Sequence, residues 1–354
     1  MLPAMGTVPR RRTPWLAVLL VATLGCPRQG STGVRFEAVA AAEPPLVWPA
    51  APAVPRIRHL ADIASPTDIG VRQSWLRRVV SLFTGASTPR LRQPYGVAVD
   101  SAGRVFVADV AARAVHVFDP TKGEYRVLTA SGRHGFVAPV GVALDDAGSV
   151  YVSDSELGEV IVFDAAGRER RRIHEGLERP TGLAYDRRRD MLFVADTKAH
   201  RIAMFDSTGR WRGSFGRRGV GNGEFNFPTN VGIASDGSVL VVDALNFRVQ
   251  VFSPDGRYVR QFGQNGDAVG DLARPKGVAV DTEGHVYVVD GLYDVVNVYD
   301  AAGRLLLSFG GAGHGRGQFW LASGIAIDRD DRVYVADSFN SRVQVLQYLT
   351  EAPR

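Results

Sequence analysis

The sequence has a single cysteine, Cys26, among its 354 residues. One thiol cannot form a disulfide within the chain, and it cannot supply the cysteine cluster of a structural zinc site. Lysine is scarce too, since only three of the 42 basic residues are lysines, and no basic stripe with interleaved aromatic residues occurs. The chain therefore lacks the features that favour a nucleic-acid-binding protein, although its net charge is +5.

Long apolar runs are also missing, apart from one near the N-terminus. Residues Trp15–Leu24 form an uncharged run directly after the three arginines Arg10–Arg12. This run is too short to cross a bilayer but has the length of the hydrophobic part of an export signal. We therefore predict a signal peptide at residues 1–25. Without its three arginines, the mature chain would carry a net charge of +2.

The residues at the end of this run resemble the lipobox of bacterial lipoproteins. Thr23, Leu24 and Gly25 precede Cys26, whereas that family usually has Leu three residues before the cysteine. The resemblance implies that Cys26 is diacylated and becomes the mature N-terminus of a lipid-anchored protein facing the periplasm or the cell surface. The membrane would then be touched only through the N-terminal lipid. The alternative is an ordinary signal peptide with an incidental thiol.

Segments of different character lie between the predicted signal and the first repeat. Residues 26–55 are rich in Ala and Pro without periodicity, which predicts an extended tether. Residues 56–93 then contain one isolated strand, Arg56–Ile63, and a run at 73–85 with apolar residues at helical spacing. We expect this run to form a short amphipathic helix that packs across one face of the protein or binds in a partner's groove.

From residue 94 onward the chain repeats one pattern six times. Four copies have a Pro-x-Gly entry, and the other two drift to Pro228-Thr229-Asn230 and Ala322-Ser323-Gly324. All copies have short runs of β-branched residues separated by turn formers. The Asp that closes the second run recurs at intervals of 45, 42, 47, 47 and 47 residues. Four strands at this period are typical of a propeller, so we predict an all-β fold, a six-bladed β-propeller of four-stranded blades, over residues 94–354. The six aspartates are Asp109, Asp154, Asp196, Asp243, Asp290 and Asp337.

The last copy stops after its third strand, near residues 347–349. This leaves an outer sheet edge open, and an exposed edge promotes aggregation. We predict that Arg56–Ile63 pairs with Arg342–Leu349 as the missing fourth strand and closes the ring with both ends of the chain in one blade. A loose N-terminal extension is the alternative.

A turn motif, Asp-x-x-Asn-x-Arg, occurs in full at Asp243–Arg248 and Asp337–Arg342. The carboxylate suits a tight turn because it can accept backbone N–H groups, and Arg248 or Arg342 is placed to reach back to it. A ring of six aspartates also suggests metal ligands. Each Asp belongs to its own blade, however, so we interpret the motif as structural.

The repeated motifs resemble those of the NHL-repeat family. The entry Pro-x-Gly-Val-Ala-Val-Asp stands at Pro275–Asp281, and glycine-rich linkers bounded by Phe occur at Phe215–Phe225 and Phe309–Phe319. The resemblance implies a six-bladed propeller and, most often, a binding or scaffolding role. The linkers lack the helix and Lys-Ser/Thr of a nucleotide cradle. Blades one and two depart from the pattern after the Asp, at Ala112-Arg113 and Gly158-Glu159. Blade four has Asn230 in the glycine position, and blade five has Asp294-Val295 where Asn-x-Arg would stand.

One face of such a propeller carries both the linkers that enter each first strand and the turns between second and third strands. Exposed aromatic residues with Arg and Lys on this face would suit protein or peptide binding, although some aromatics would instead cover blade seams. We therefore expect an envelope protein or peptide as partner, a monomer, and no cofactor. The candidate binding residues are Tyr95, Arg179, Thr181, Asn230, Phe247, Lys276, Tyr293, Trp320 and Phe339.

Some propellers similar to this family are enzymes, which leaves a second hypothesis open. The resemblance to amidating lyases and lactonases implies a metal-assisted lyase or hydrolase at the central mouth, which would need converging His or carboxylate side chains. Only His134, His200 and His314 fall on the predicted face, and they come from different blades without paired spacing. No Ser/His/Asp or Cys/His group can be assembled from the sequence. We therefore favour a binding protein over an enzyme.

Overall fold

The computed structural model describes residues 44–71 and 89–350. These residues form an all-β ring of six blades, which confirms the predicted six-bladed propeller. The predicted signal peptide at 1–25, Cys26 and the predicted helix at 73–85 lie outside the described residues. No helix in the described part of the chain is long and apolar enough to cross a membrane.

Within the described residues, 25 strands build the ring, and short 3-10 turns lie between some of them. The strands are β1 (Val47–Trp48), β2 (Ile57–Ile63), β3 (Pro94–Val99), β4 (Val105–Asp109), β5 (Ala114–Asp119), β6 (Glu124–Leu128), β7 (Pro139–Leu144), β8 (Val150–Asp154), β9 (Glu159–Phe163), β10 (Glu169–Ile173), β11 (Pro180–Asp186), β12 (Met191–Asp196), β13 (Arg201–Asp206), β14 (Trp211–Phe215), β15 (Pro228–Ile233), β16 (Val239–Asp243), β17 (Arg248–Phe252), β18 (Tyr258–Phe262), β19 (Pro275–Val280), β20 (Val286–Asp290), β21 (Val295–Tyr299), β22 (Leu305–Gly310), β23 (Ala322–Ile327), β24 (Arg332–Asp337) and β25 (Arg342–Tyr348). The 3-10 turns are Pro66–Ile69, Thr197–Ala199, Ala244–Asn246 and Ser338–Asn340. Blades one to five are the antiparallel sheets β3–β6, β7–β10, β11–β14, β15–β18 and β19–β22.

The burial of each strand follows its place in the blade. The second strands β16 and β20 are buried at every position, because neighbouring blades cover both of their faces. The fourth strand β18 lies at the rim and alternates between exposed and less exposed residues along its length. The apolar second and third strands therefore supply most of the core, and the fourth strands carry the polar outer surface.

The sixth blade closes the ring because strands from both ends of the chain share one sheet. Its order is β1-β2-β25-β24-β23. Strand β2 runs antiparallel to β25, with Ile63 opposite Val343. This pairing confirms the predicted closing strand. An ion pair between Arg342 and Asp62, at 2.9 Å, adds a charged contact across the junction.

The sequence pattern does not predict β1, which lies within the stretch 26–55 interpreted as a tether. Its two residues pair with the start of β2. The Trp48 ring lies 5.9 Å from the Phe309 ring, and it also covers Gly317, where a Cβ would collide with the indole. Two residues are too few to show strand alternation in a sequence, so this strand is recognised only from its pairing and from the packing of Trp48 in the structure.

The first strands of the blades pack closely around the axis because the entry motifs carry glycine. A Cβ at Gly182 would lie 2.5 Å from the Cα of Asn230 in the next blade, and one at Gly277 would lie 2.6 Å from the carbonyl oxygen of Ser323. Cβ atoms do not approach backbone this closely, so a side chain here would force the blades apart. The first strands enclose a central channel of about 520 Å³.

Candidate functional site

The linker face, which carries the linkers and the turns between second and third strands, is built on one buried carboxylate per blade. Asp243 accepts a hydrogen bond from the Asn226 N–H at 2.6 Å, and Asp337 accepts one from the Trp320 N–H at 2.8 Å. In all six blades the donor lies in the linker, 17 residues before the aspartate. Each carboxylate therefore fixes a linker against a turn. The six fully buried residues are Asp109, Asp154, Asp196, Asp243, Asp290 and Asp337.

The partner that balances this carboxylate differs between blades. Arg248 and Arg342 each donate from Nε to the aspartate of their own blade at 2.8 Å. In blade one, Nε2 of His116 lies 3.7 Å from Asp109. Burial lowers the pKa of His116 below its ordinary value, and the charge of Asp109 opposes this shift only in part. The buried carboxylate therefore faces an arginine in blades three, four and six, whereas in blade one a titratable ring approaches it from the third-strand position that Gln250 holds in blade four.

The six turns diverge at the second residue after this aspartate. In blades four to six the residue is large, apolar and about half exposed, whereas in blades one to three it is small or charged. Because blades one to three form without an apolar residue at this turn position, folding alone does not require one there. The residues are Ala111, Glu156 and Lys198 in blades one to three, and Leu245, Leu292 and Phe339 in blades four to six.

Three aromatic residues extend this apolar surface, and each is held in place by a neighbour. The Trp320 ring lies 5.4 Å from the Phe339 ring. Phe227 has a φ of 54° and its ring meets His200 edge-on at 4.4 Å. The Tyr293 hydroxyl donates to a linker carbonyl at 3.1 Å. We call the resulting surface the apolar half-face; its members are Phe227, Leu245, Leu292, Tyr293, Trp320 and Phe339.

The other half of the linker face is charged, and its charges pair with one another. Arg179 lies 3.2 Å from Glu156, and Lys198 lies 3.5 Å from Glu178. All four side chains are largely exposed, so these pairs contribute little to stability. They offset part of the charge on this half of the linker face.

A cleft of about 270 Å³ opens between blades four and five, beside the mouth of the channel. Two cations lie in it, Arg274 and Lys276, and neither has a carboxylate partner in the part of the chain that the structure describes. The Lys276 ammonium lies 5.8 Å from the centre of the Tyr95 ring, within cation–π range. The apolar wall of the cleft is formed by Phe227, Ala244, Leu245 and Pro275.

The structure distributes the residues expected at the binding face over different environments. Thr181 bonds to the Thr197 hydroxyl at 2.6 Å and donates to the Thr229 carbonyl at 3.0 Å, so it ties blade three to blade four. Phe247 is half-buried at the end of a turn, and Asn230 lines the channel. Of the others, Tyr293, Trp320 and Phe339 belong to the apolar half-face, Tyr95 and Lys276 to the mouth, and Arg179 to the charged half.

The three histidines of the face occupy separate loops. Nδ1 of His200 accepts the Phe227 N–H at 3.2 Å, Nδ1 of His314 lies 2.6 Å from Oδ1 of Asn340, and His134 is exposed. Across residues 44–71 and 89–350, no three His, Cys, Asp or Glu side chains converge in a way that could hold a metal ion. Both bonded histidines support the conformation of their own loops.

Blade five has Tyr293-Asp294-Val295 in place of the Asn-x-Arg of the turn motif, so a buried acid, Asp294, takes the middle position at a φ of 55°. Its carboxylate accepts the Leu321 N–H at 2.6 Å. Burial raises the pKa of Asp294 above its ordinary value, and the negative charges of Asp337 and Asp290 act in the same direction, against this hydrogen bond. The turn of blade five therefore carries a carboxyl group that is costly to ionise.

Sequence reasoning missed Leu245 and Leu292 of the apolar half-face and Arg274 of the cleft. Aligning the six turns on their aspartates would have identified the two leucines, because the pattern changes from small or charged to apolar at one position. Arg274 gave no comparable signal, because its place in the cleft depends on how blades four and five approach each other.

Comparison with known proteins supports the same fold. Residues 319–346 match the family model of the NHL repeat. No curated protein matches the chain. Similar solved structures include virginiamycin B lyase from Staphylococcus aureus, with 13% identity, a TM-score of 0.55, and coverage of 73% of this chain and 95% of the lyase. Nidogen in a nidogen/laminin complex has 21% identity, a TM-score of 0.53, and coverage of 69% of this chain and 84% of that chain.

A protein of unknown function from Bacteroides thetaiotaomicron is similar as well, with 16% identity, a TM-score of 0.60, and coverage of 82% of this chain and 75% of that chain. At these identities the likeness concerns the fold. The match to the NHL model falls on the end of the linker and on the first, second and third strands of blade six, elements that recur around the ring. The chain is therefore a six-bladed β-propeller whose sixth blade matches the NHL repeat.

Proposed function

We propose that this propeller is a binding or scaffold protein that holds a protein or peptide against its apolar half-face. We further propose that it is exported and attached to a bacterial membrane through a lipid on Cys26, so that the linker face meets its partner in the cell envelope. The second element of the proposal comes from the sequence of the leader and not from the described residues.

One observation carries the binding role. Three consecutive blades place Leu245, Leu292 and Phe339 at the turn position where the other three blades have small or charged residues. Exposed apolar side chains that cluster on one side of a protein, beside a polar rim, are typical of an interaction surface. The aspartates that order the turns would hold this surface ready before binding, which reduces the entropy lost on association.

The nidogen/laminin complex shows that a propeller of this general fold can take part in a protein complex. At 21% identity it does not indicate which partner this chain would bind. It supports the class of function only.

Cross-linking in intact cells tests the proposal. The tagged wild-type chain is compared with a triple variant, Leu245→Ser, Leu292→Ser and Phe339→Ser, whose substitutions lie on the turns and leave the buried aspartates intact. We expect one abundant cross-linked envelope protein with the wild type and its loss in the variant. The matched control changes the equivalent residues of the other blades, Ala111→Ser, Glu156→Ser and Lys198→Ser, and should retain the partner. Equal cross-linking by both variants, each with an unchanged melting temperature, would refute the assignment of the surface.

The anchor is tested separately by fractionation. We expect the wild-type chain to be recovered with membranes, and Cys26→Ala to release it into the soluble fraction of a detergent-free lysate. Equal membrane recovery of both proteins would contradict lipidation at Cys26, without bearing on the binding surface.

An enzyme with its site in the central channel is the second candidate, favoured by the 520 Å³ cavity and by the likeness in fold to virginiamycin B lyase. We place it second because polar side chains at the far end of the channel, such as Asp281 and Asp328, are occupied by hydrogen bonds in their own turns. Incubation with virginiamycin B followed by mass spectrometry tests it. We expect unchanged substrate, and stoichiometric turnover would reverse the order of the two candidates.

A further inference from the structure

We propose that the cleft between blades four and five seats the side chain of an Asp or Glu within a bound peptide, flanked on both sides by apolar residues. The proposal rests on the binding role above and specifies the chemistry of the ligand.

The sequence departs from the repeat at the seam beside the cleft. Around the rest of the ring, entry glycines allow neighbouring first strands to touch, as Gly277 does against blade six. Blade four instead has Asn230 at this position. The first strands of blades four and five still meet, since a Cβ at Gly232 would lie 3.2 Å from the Val278 carbonyl oxygen and the Thr229 hydroxyl donates to the Lys276 carbonyl at 3.4 Å.

The charge in the cleft is unbalanced. Some arginines elsewhere on the linker face pair with a carboxylate, for example Arg179 with Glu156. Arg274 and Lys276 line the cleft, and their only described interaction with another ionic or aromatic side chain is that of Lys276 with the Tyr95 ring. Neither charge is offset by a carboxylate side chain of the described residues. A carboxylate bound in the cleft would supply this missing negative charge and form charge-assisted hydrogen bonds.

The surroundings favour an acidic residue inside a peptide over a terminal carboxylate. Phe227 and Leu245 of blade four border the cleft on one side, and Leu292 and Tyr293 extend the apolar surface across blade five on the other. A chain that crosses the cleft would therefore find apolar contacts both before and after its acidic residue. A chain that ended in the cleft would leave one of the two surfaces uncovered.

Selection from a displayed library of random dodecapeptides, with both peptide ends blocked by fusion or amidation, tests the proposal on the full chain. We expect enriched peptides to share an Asp or Glu with a large apolar residue within two positions on each side. For a synthetic peptide of the enriched sequence, replacing its acid by the amide should weaken binding about tenfold or more, as should Arg274→Gln or Lys276→Gln. Both cations are on the surface, so these variants should fold. Arg92→Gln, an exposed cation on the linker of blade one, is the control and should bind as the wild type does.

The outcomes separate this proposal from the proposed function. Enriched peptides that are apolar without an acid, and whose binding is lost with Phe339→Ser but kept with Arg274→Gln, would overturn the acidic seat and leave the binding role standing. Binding that requires a free C-terminal carboxylate, shown by a matched peptide acid and amide, would also overturn it. If substitutions in the apolar half-face and in the cleft left the binding of every selected peptide unchanged, both the acidic seat and the proposed binding role would be refuted.

Discussion

Replacing Arg248 by Met should destabilise the propeller more than any other single change to a turn motif outside the closing blade. Arg248 is buried, donates from Nε to the fully buried Asp243 at 2.8 Å, and also bonds to the Gln261 side chain and to two carbonyl groups of the preceding linker. Removal leaves the Asp243 charge buried without its cation, which costs about 3–5 kcal/mol. For a domain of this size that corresponds to a fall of about 6–20 °C in melting temperature.

Differential scanning calorimetry of three variants checks this reasoning. Arg201 occupies the same position in blade three beside the equally buried Asp196, but it is more exposed and its contact is longer, at 3.2 Å, so Arg201→Met should cost less than Arg248→Met. Adding Asp243→Asn to Arg248→Met should recover part of the loss, because the double variant no longer buries an unpaired charge. Equal shifts for the two arginine variants, or no recovery in the double variant, would show that the buried ion pair does not set the stability of the turn.

Three further predictions concern the hub and two titratable groups. Gly277→Ala should destabilise the fold by about 1–3 kcal/mol because the added Cβ would meet the backbone of blade six, whereas the Cβ of Gly221→Ala meets only the flexible side chain of a glutamate and should be nearly neutral. Chemical denaturation of both variants measures the two losses of stability, and equal losses would contradict the close packing of first strands. His116→Gln should reduce the stability that the protein loses between pH 7.5 and pH 5.5. The folded-state pKa of His116 is lowered, so the unfolded chain takes up a proton first as the pH falls below about 6.5, the ordinary His value. Melting temperatures across this range test the prediction, and the same dependence of melting temperature on pH in both proteins would refute it. Asp294→Asn should raise the melting temperature at pH 7 but not near pH 3.5. The raised pKa of the Asp294 carboxyl group gives stability that is present at low pH and lost as the pH rises through the folded-state pKa. A gain in melting temperature that is the same at both pH values would exclude this cause.

The repeat made the fold accessible from the sequence. Strand patterns, the spacing of the aspartates and the missing fourth strand of the last copy were enough to predict six blades and to pair Arg56–Ile63 with the C-terminal strand. These features depend on local patterns and on a sheet edge that had to be covered, and both can be recognised without coordinates.

The details of the surface could not be predicted in the same way. The aspartate motif suggested hydrogen bonds within the turn, but Asp337 also binds the Trp320 N–H, 17 residues earlier, and nothing local marks that contact. Asn230 was recognised as a departure from the pattern, yet the cleft that contains Arg274 depends on how blades four and five approach each other in space. Thr181 was expected at the mouth but bonds to the neighbouring blade, because a hydroxyl next to a seam can satisfy a carbonyl there.

The closing blade also sets the order of events during synthesis. Asp62 of β2 and its partner Arg342 of β25 are 280 positions apart, so β2 leaves the ribosome long before the strand that will cover it. At usual rates of translation this delay is about 15–60 s. For that time the edge of β2, with the apolar residues Ile57, Leu60 and Ile63, has no partner in the sheet. Blades one to five have time to form first, and the step that completes the ring is the joining of the first strands of the domain to its last.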